Sequence, residues 1–169
     1  MRLSPAQLER FHEDGFLVLP GLFSREEVDV LRAELSRLCA EDCPANIREK
    51  LSGEVRTAMG LHARSEVFAR LCRHPRFVGP ARQILGTDRL YIQQAKVNAK
   101  AAFSGEAWQW HYDFATHHHE DGVPEPLALN LRACRKVRGT HDAQADSGDV
   151  MRIDTWGRPS PLTAASTSA

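Results

Sequence analysis

The sequence has no excess of charge of either sign. Lys and Arg together number 22, Asp and Glu together also number 22, and the formal net charge of the 169 residues is zero. Proteins that bind nucleic acids or anionic membrane surfaces by general electrostatics carry a basic excess. We therefore expect no nucleic acid and no membrane among the partners of this protein.

Long hydrophobic runs are absent as well. No stretch approaches the roughly 18 apolar residues of a membrane-spanning helix, and residues 1–7 lack the apolar core of a signal peptide. We accordingly expect a cytoplasmic protein. The chain is 42% hydrophobic and 26% charged, as ordinary globular proteins are, and its length suits one domain with its own core.

Cysteine is sparse and forms no CxxC pair. The four cysteines are Cys39, Cys43, Cys72 and Cys134. Cys39 and Cys43 have helical i,i+4 spacing, but a zinc site would need two more ligands around them. We predict reduced thiols that pack as small apolar side chains.

Capping signals predict two helices and a strand at the start of the chain. Ser4 begins a capping box with Pro5 at the first helical position, and Gly15 marks the end of this helix. A short strand follows at residues 16–19, and a second capping box begins at Ser24. The 3,4,3 spacing of an amphipathic helix then appears at Val28, Leu31, Leu35 and Leu38.

The middle of the chain alternates weak and strong signals. Residues 41–60 are polar, with few periodic apolar positions, and are predicted to be a loop or mobile segment. Ser65 is a candidate cap for a short helix, and another helix is predicted from Pro75 to Gly86. Strands are predicted at residues 90–98 and 127–131. Because helices come first and strands later, the expected class is α+β.

One aromatic stretch carries a candidate metal site: the run WQWHYDF at residues 108–114. Side chains alternate across a strand, so His111 and Asp113 would share one face and the aromatic residues the other. An imidazole and a carboxylate from one strand are two of the three ligands of the facial triad in non-haem Fe(II) oxygenases. The histidines at 117–119 lie beside acidic residues and are predicted to form a solvated loop.

The pattern changes after Leu131. Residues 132–169 show no alternating apolar run and little helical periodicity, and they end in a low-complexity stretch. The expected organisation is therefore a domain at residues 1–131 and a divergent, partly disordered tail at residues 132–169.

Several fragments, in order and spacing, resemble the phytanoyl-CoA dioxygenase family of Fe(II)/2-oxoglutarate oxygenases. Within that family the sequence is most similar to hydroxylases of small amino-acid-type substrates such as ectoine, leucine and proline. The fragments are FHEDGFLVLPGLFS at 11–24, VFARL at 67–71, GPARQILG at 79–86, YIQQAKVNAK at 91–100, WHYDF at 110–114 and EDGVP at 120–124.

This resemblance implies a mainly β core, a double-stranded β-helix (jelly roll), here incomplete, with the N-terminal helices packed on it. It also implies Fe(II), 2-oxoglutarate as cosubstrate, O2, and hydroxylation of a free amino acid or similar zwitterion at an unactivated C–H bond. The residues that match by position are His111 and Asp113 for iron, Gln94 and Asn98 for 2-oxoglutarate, and Trp108 and His117 for the substrate pocket.

The family's second histidine ligand and the arginine after it have no clear counterpart. Gly139-Thr140-His141 is similar to a turn that precedes the ligand in the family, so the third ligand is either missing or His141. Because the likeness stops near Leu131, we expect a truncated or frame-shifted reading frame. The alternative to an active enzyme is an inactive remnant that associates through exposed strand edges, for example as a homodimer.

Overall fold

A computed structural model describes residues 1–99, His119, Gly122, and the backbone of residues 129–135 and 149–155. The helices are α1 (Pro5–Asp14), α2 (Arg25–Ala40), α3 (Leu61–Arg64), α4 (Glu66–Cys72) and α5 (Pro75–Leu85). The strands are β1 (Phe16–Pro20), β2 (Asn46–Arg48), β3 (Val55–Met59), β4 (Lys96–Asn98), β5 (Leu129–Arg135) and β6 (Asp149–Thr155).

The chain divides into two compact units, and the division falls inside α5 between Val78 and Gly79. The first unit comprises Met1–Ser24, Gly79–Asp88 and His111–Ala169, and the second comprises Arg25–Val78 and Arg89–Trp110.

In the first unit, α1 packs against the strand that follows it. The Ser4 hydroxyl accepts a hydrogen bond from the Gln7 backbone N–H, and the Gln7 side-chain oxygen accepts one from the Ser4 backbone N–H. Gly15 ends the helix in the left-handed conformation with φ 74°. Phe11 and the alternate positions Leu17 and Leu19 are buried. The predicted helix and strand are both confirmed.

The sheet of the first unit has the strand order β1-β6-β5, and all pairs are antiparallel. Its register sets Leu17 opposite Ile153 and Leu19 opposite Met151. On the other side of β6, Leu131 lies opposite Ile153. The central strand of this sheet therefore comes from the far end of the chain.

The second unit is built from α2, α3, α4 and the antiparallel sheet β2-β3-β4. Its core is a cluster of four buried side chains: Leu38, Ala58, Leu61 and Phe68. The predicted apolar face of α2 is confirmed, since Leu31 and Leu35 pack against this cluster. Ser65 caps α4 as predicted, and its side chain accepts a hydrogen bond from the Phe68 backbone.

A buried polar network joins the end of α2 to the β2–β3 hairpin. The Asn46 side chain donates to the carbonyl oxygens of Leu38 and Glu41 over 2.7 and 2.8 Å. Arg64 donates to the Asn46 side chain, to the carbonyls of Met59 and Leu38, and to the Glu41 carboxylate. The last carbonyl groups of a helix have no hydrogen-bond donor within the helix. At the end of α2, the side chains of Asn46 and Arg64 provide donors for them.

The prediction of a loop at residues 41–60 is wrong, because β2 and β3 form a hairpin there. The strands are short, and an irregularity in the register falls between Ile47 and Arg48. Only one face meets the core, so few apolar residues are needed and the period-2 signal is weak. The Ser52-Gly53 pair, with Gly53 at φ 71°, is the turn signal that could have revealed the hairpin.

The later strands also differ from expectation. Of residues 90–98 only Lys96–Asn98 are in a strand, and the predicted strand at 127–131 is confirmed from Leu129 but continues to Arg135. Strand β6 lies within the expected tail. There Met151 and Ile153 alternate with Arg152 and Asp154, a period-2 pattern too short to stand out in its surroundings.

Helices with antiparallel sheets confirm the α+β class, although β1, β2 and β3 lie between helices rather than after them. The predicted strand at residues 108–114 lies outside the described residues. No helix of the described part is both long and apolar enough to span a membrane. Cys39, Cys43 and Cys72 are free thiols, as predicted.

Candidate functional site

The candidate site that the structure describes lies on β4 and the strand beside it. In the register of β3 and β4, Asn98 lies opposite Thr57 and Val97 lies opposite Ala58. Ala58 belongs to the core cluster, and Val97 packs against it. Because successive residues of a strand alternate between faces, Thr57 and Asn98 occupy the face that points away from this core.

Asn98 is exposed, whereas Thr57 is 6% exposed. The Thr57 hydroxyl donates a hydrogen bond of 3.2 Å to Oδ1 of Asn98. With Oδ1 accepting from Thr57, the Nδ2 group is the end of the amide that can donate to a ligand. Asn98 therefore has the chemistry and the exposure needed to bind a carboxylate.

Gln94 is exposed but lies outside β4. The strand predicted at residues 90–98 therefore does not extend to Gln94. The carbonyl of Ala95 accepts from the backbone N–H groups of Gly60 and Leu61, at 2.9 and 3.4 Å. Because β3 ends at Met59 and α3 begins at Leu61, no β3 residue remains to pair with Gln94, and the pairing of β3 with β4 stops before it.

The other predicted site residues are not among the described ones: His111, Asp113, Trp108, His117 and His141. Within the described part of the chain, no group of three or more His, Cys, Asp or Glu residues could hold a metal ion. His119, the described member of the histidine run, is exposed. The assignment of His111 and Asp113 to a metal stays a prediction.

Ion pairs shift the pKa of two carboxyl groups at the end of α2. Hydrogen bonds from Arg37 and Ser65 lower the pKa of Glu34 to about 2. A hydrogen bond from Arg64, and a second one from Arg37, lowers the pKa of Glu41. Burial raises the pKa of the Cys39 thiol, although Arg64 and Arg48 oppose this effect. Cys39 therefore stays protonated, which agrees with its packing against the core.

Two polar residues of this region escaped the sequence reasoning. Thr57 contacts Asn98 across 41 positions of sequence, and only the register of the strands reveals such a pair. The second is His62, whose Nδ1 is buried and has no hydrogen-bond partner in the described part. A buried polar atom without a partner is uncommon, and sequence patterns carry no signal for it.

The comparisons with known proteins agree with each other. The profile of the family described as Phytanoyl-CoA dioxygenase (PhyH) matches residues 11–148. This match covers more than three-quarters of the chain and continues past Leu131, where the sequence suggested that the likeness stops.

Similar curated proteins include the ectoine dioxygenase of Stutzerimonas stutzeri, which is 43% identical over 127 residues. That alignment covers 73% of this chain and 42% of the relative. The L-proline trans-4-hydroxylase of Streptomyces griseoviridis is 44% identical over 122 residues, which are 72% of this chain and 45% of the relative. The matched part thus spans less than half the length of these relatives.

Among solved structures, the crystal structure of EctD from S. alaskensis with 2-oxoglutarate and 5-hydroxyectoine matches with a TM-score of 0.79 at 28% identity. It covers 94% of this chain and 72% of EctD. The same protein with bound Fe matches with a TM-score of 0.78. Sequence profile, curated relatives and backbone geometry all converge: this chain belongs to the phytanoyl-CoA dioxygenase family.

Proposed function

We propose that the protein is an Fe(II)- and 2-oxoglutarate-dependent dioxygenase that hydroxylates a small amino-acid-type substrate at an unactivated C–H bond. The observation that carries this proposal is the family match over residues 11–148, together with relatives that are named for ectoine and proline. The proposal includes completion of the described sheets into a double-stranded β-helix and a cytoplasmic location.

In this proposal His111 and Asp113 hold the iron, and the third protein ligand is either missing or His141. Bound iron in such a site supplies O2 activation, coupled to oxidation of 2-oxoglutarate to succinate and CO2. Gln94 and Asn98 bind 2-oxoglutarate, and the exposed Asn98 amide fits that role because its Nδ2 can donate to a carboxylate. Trp108 and His117 line the substrate pocket.

The test is anaerobic addition of Fe(II) and 2-oxoglutarate to the full chain, followed by succinate measurement in air. We expect a weak visible charge-transfer band, and succinate formation that increases with ectoine, L-proline or a similar zwitterion. The His111→Ala variant should lose both, with iron affinity reduced at least roughly tenfold because a protein ligand is removed. The matched control His118→Ala should keep both.

A wild-type chain without the band, and with no more succinate than His111→Ala, would contradict the proposal. The His141→Ala variant addresses the third ligand separately. Reduced iron affinity in that variant would assign His141 as a ligand, and unchanged affinity would leave His111 and Asp113 as the protein ligands in this chain.

A further inference from the structure

We propose that Thr57 is a positioning residue that holds the Asn98 amide with its Nδ2 group toward the carboxylate of 2-oxoglutarate. This inference rests on the proposed function, because it assumes that Asn98 contacts the cosubstrate. It adds a residue that the resemblance does not assign, from a different strand and from a stretch that the sequence predicted to be a loop.

The two ends of an asparagine amide differ in chemistry, since the oxygen accepts hydrogen bonds and the NH2 group donates them. Rotation of the Asn98 amide by about 180° exchanges its oxygen and its NH2 group. One orientation presents a donor to an anionic ligand, and the other presents an acceptor, which a carboxylate repels. An exposed asparagine without a partner would populate both orientations, so that only part of the protein would be ready to bind.

The Asn98 amide has a hydrogen-bond partner in Thr57. The Thr57 hydroxyl donates to Oδ1 of Asn98 over 3.2 Å, and in this arrangement Nδ2 is directed away from Thr57. Thr57 is itself 6% exposed, and the hydroxyl of a buried residue favours a protein partner. The bond therefore sets the amide before any ligand arrives.

The strand pair that carries Thr57 and Asn98 is packed on the core. Thr57 and Asn98 are directly opposite each other in an antiparallel pair. In the adjacent pair, Ala58 belongs to the core cluster and Val97 packs against it. The threonine side chain is β-branched and stiff at χ1. Because the donor is already held in place, ligand binding costs less side-chain conformational entropy.

The charge of this face favours the same ligand. Lys96 is two residues before Asn98 in β4, and both positions are exposed while Val97 between them is half-buried. A cation and an amide donor on one strand face favour an anion over a cation. The face thus suits a dicarboxylate such as 2-oxoglutarate.

The experiment is calorimetric titration of 2-oxoglutarate into the full chain, with Mn(II) in place of Fe(II) so that no turnover occurs. Thr57→Val keeps the shape and the strand preference but removes the hydroxyl. A typical hydrogen bond of this kind corresponds to a roughly three- to tenfold change in affinity, and we expect Thr57→Val to weaken 2-oxoglutarate binding by that factor. Thr57→Ser keeps the hydroxyl and should restore binding close to the wild-type affinity.

Two further variants distinguish positioning from a general structural effect. In an Asn98→Ala background, Thr57→Val should cause no additional loss, because the amide that it orients is gone. The control Ile47→Val changes the residue opposite Thr57 on the β2 side, and it should leave 2-oxoglutarate affinity unchanged.

The outcomes separate this inference from the proposed function. If the wild-type chain binds 2-oxoglutarate and Thr57→Val binds it with equal affinity, the role of Thr57 is overturned and the proposed function stays in place. The same would follow if Thr57→Val weakened binding equally in the wild-type and Asn98→Ala backgrounds, or if Ile47→Val weakened binding as much. A wild-type chain that does not bind 2-oxoglutarate would overturn the proposed function, and the positioning role with it.

Discussion

The two units of this protein assemble their sheets in opposite ways. In the second unit, β2, β3 and β4 all lie between Asn46 and Asn98, and β2 pairs with β3 as a hairpin. In the first unit, β1 pairs with β6, which lies near the other end of the chain. Local pairing requires little loop-closure entropy, whereas distant pairing requires more.

The side chains that stabilise the second unit also come from nearby in the sequence. Arg64 reaches back to the carbonyl of Leu38, and Asn46 reaches back eight residues to the same atom. The second unit thus contains its own helix cap, hairpin and core. The sheet of the first unit depends on backbone pairing with a strand that the sequence pattern did not reveal.

The largest expected effect concerns that central strand. Ile153 pairs with Leu17 on one side and with Leu131 on the other. In Ile153→Pro the strand loses a backbone hydrogen bond to its neighbour, and the proline ring clashes with the adjacent backbone. We therefore expect the free energy of unfolding to fall by roughly 3 kcal/mol or more. Hydrogen exchange should show faster exchange in β1 while β3 keeps its protection.

The control is Ile153→Val, which preserves the backbone donor and the strand preference and should leave the protection of β1 nearly unchanged. Equal loss of protection in β1 and β3 after Ile153→Pro would contradict the comparison, because it would mean that the local sheet also depends on the distant strand.

A smaller effect is expected in the second unit from Arg64→Met. This change removes the arginine that donates to the Asn46 side chain and to the carbonyl of Leu38. The Arg64 side chain is only 17% exposed. We expect a loss of roughly 2–3 kcal/mol, measured by urea unfolding. The matched change Arg70→Met removes an arginine that is 77% exposed and pairs with Glu66, and it should alter stability by less than about 0.5 kcal/mol. Similar losses in both variants would show that the network adds nothing beyond surface charge.

The smallest effect is a pH dependence specific to the second unit. The pKa of Glu34 is about 2, below its ordinary value of 4.5, because Arg37 and Ser65 donate to the carboxylate. A lowered pKa in the folded state stabilises the protein above the ordinary value, and this stabilisation is lost as the pH falls from 4.5 toward 2. Urea midpoints measured across this range should fall less steeply in Glu34→Gln than in wild type.

The matched control for the pH series is Glu9→Gln, which changes an exposed carboxylate on α1 in the first unit. The urea midpoint of that variant should fall with decreasing pH as steeply as that of the wild type. If the urea midpoint of Glu34→Gln also fell as steeply as that of the wild type, the ion pair of Glu34 with Arg37 would contribute nothing to stability in acid.

Sequence reasoning succeeded where a few adjacent residues determine the structure. Ser4 and Ser65 cap their helices within three residues, so the capping signals predicted α1 and α4 correctly. The same reasoning failed for β2 and β3, whose pairing depends on a polar turn and on a core that only one face contacts. It also extended β4 too far, because the backbone at Ala95 bonds to the start of α3.

The candidate site shows the same division. The family resemblance selected Asn98 as a cosubstrate residue, and the structure places it in β4 as an exposed residue with an amide that can donate to a ligand. It also selected Gln94, which lies outside that strand. Thr57 could not have been selected, because nothing in its own neighbourhood indicates a partner 41 residues away.

The strand order β1-β6-β5 has a consequence for synthesis on the ribosome. The hairpin β2–β3 can form once Met59 has left the exit tunnel, but β1 is about 130 residues ahead of its partner. At roughly 5–20 residues per second, translation leaves β1 unpaired with β6 for about 6–26 s. During this interval an apolar strand with Leu17 and Leu19 offers its edges to other nascent chains. Slower translation would therefore lengthen the period in which the edges of β1 are open to pairing with other chains.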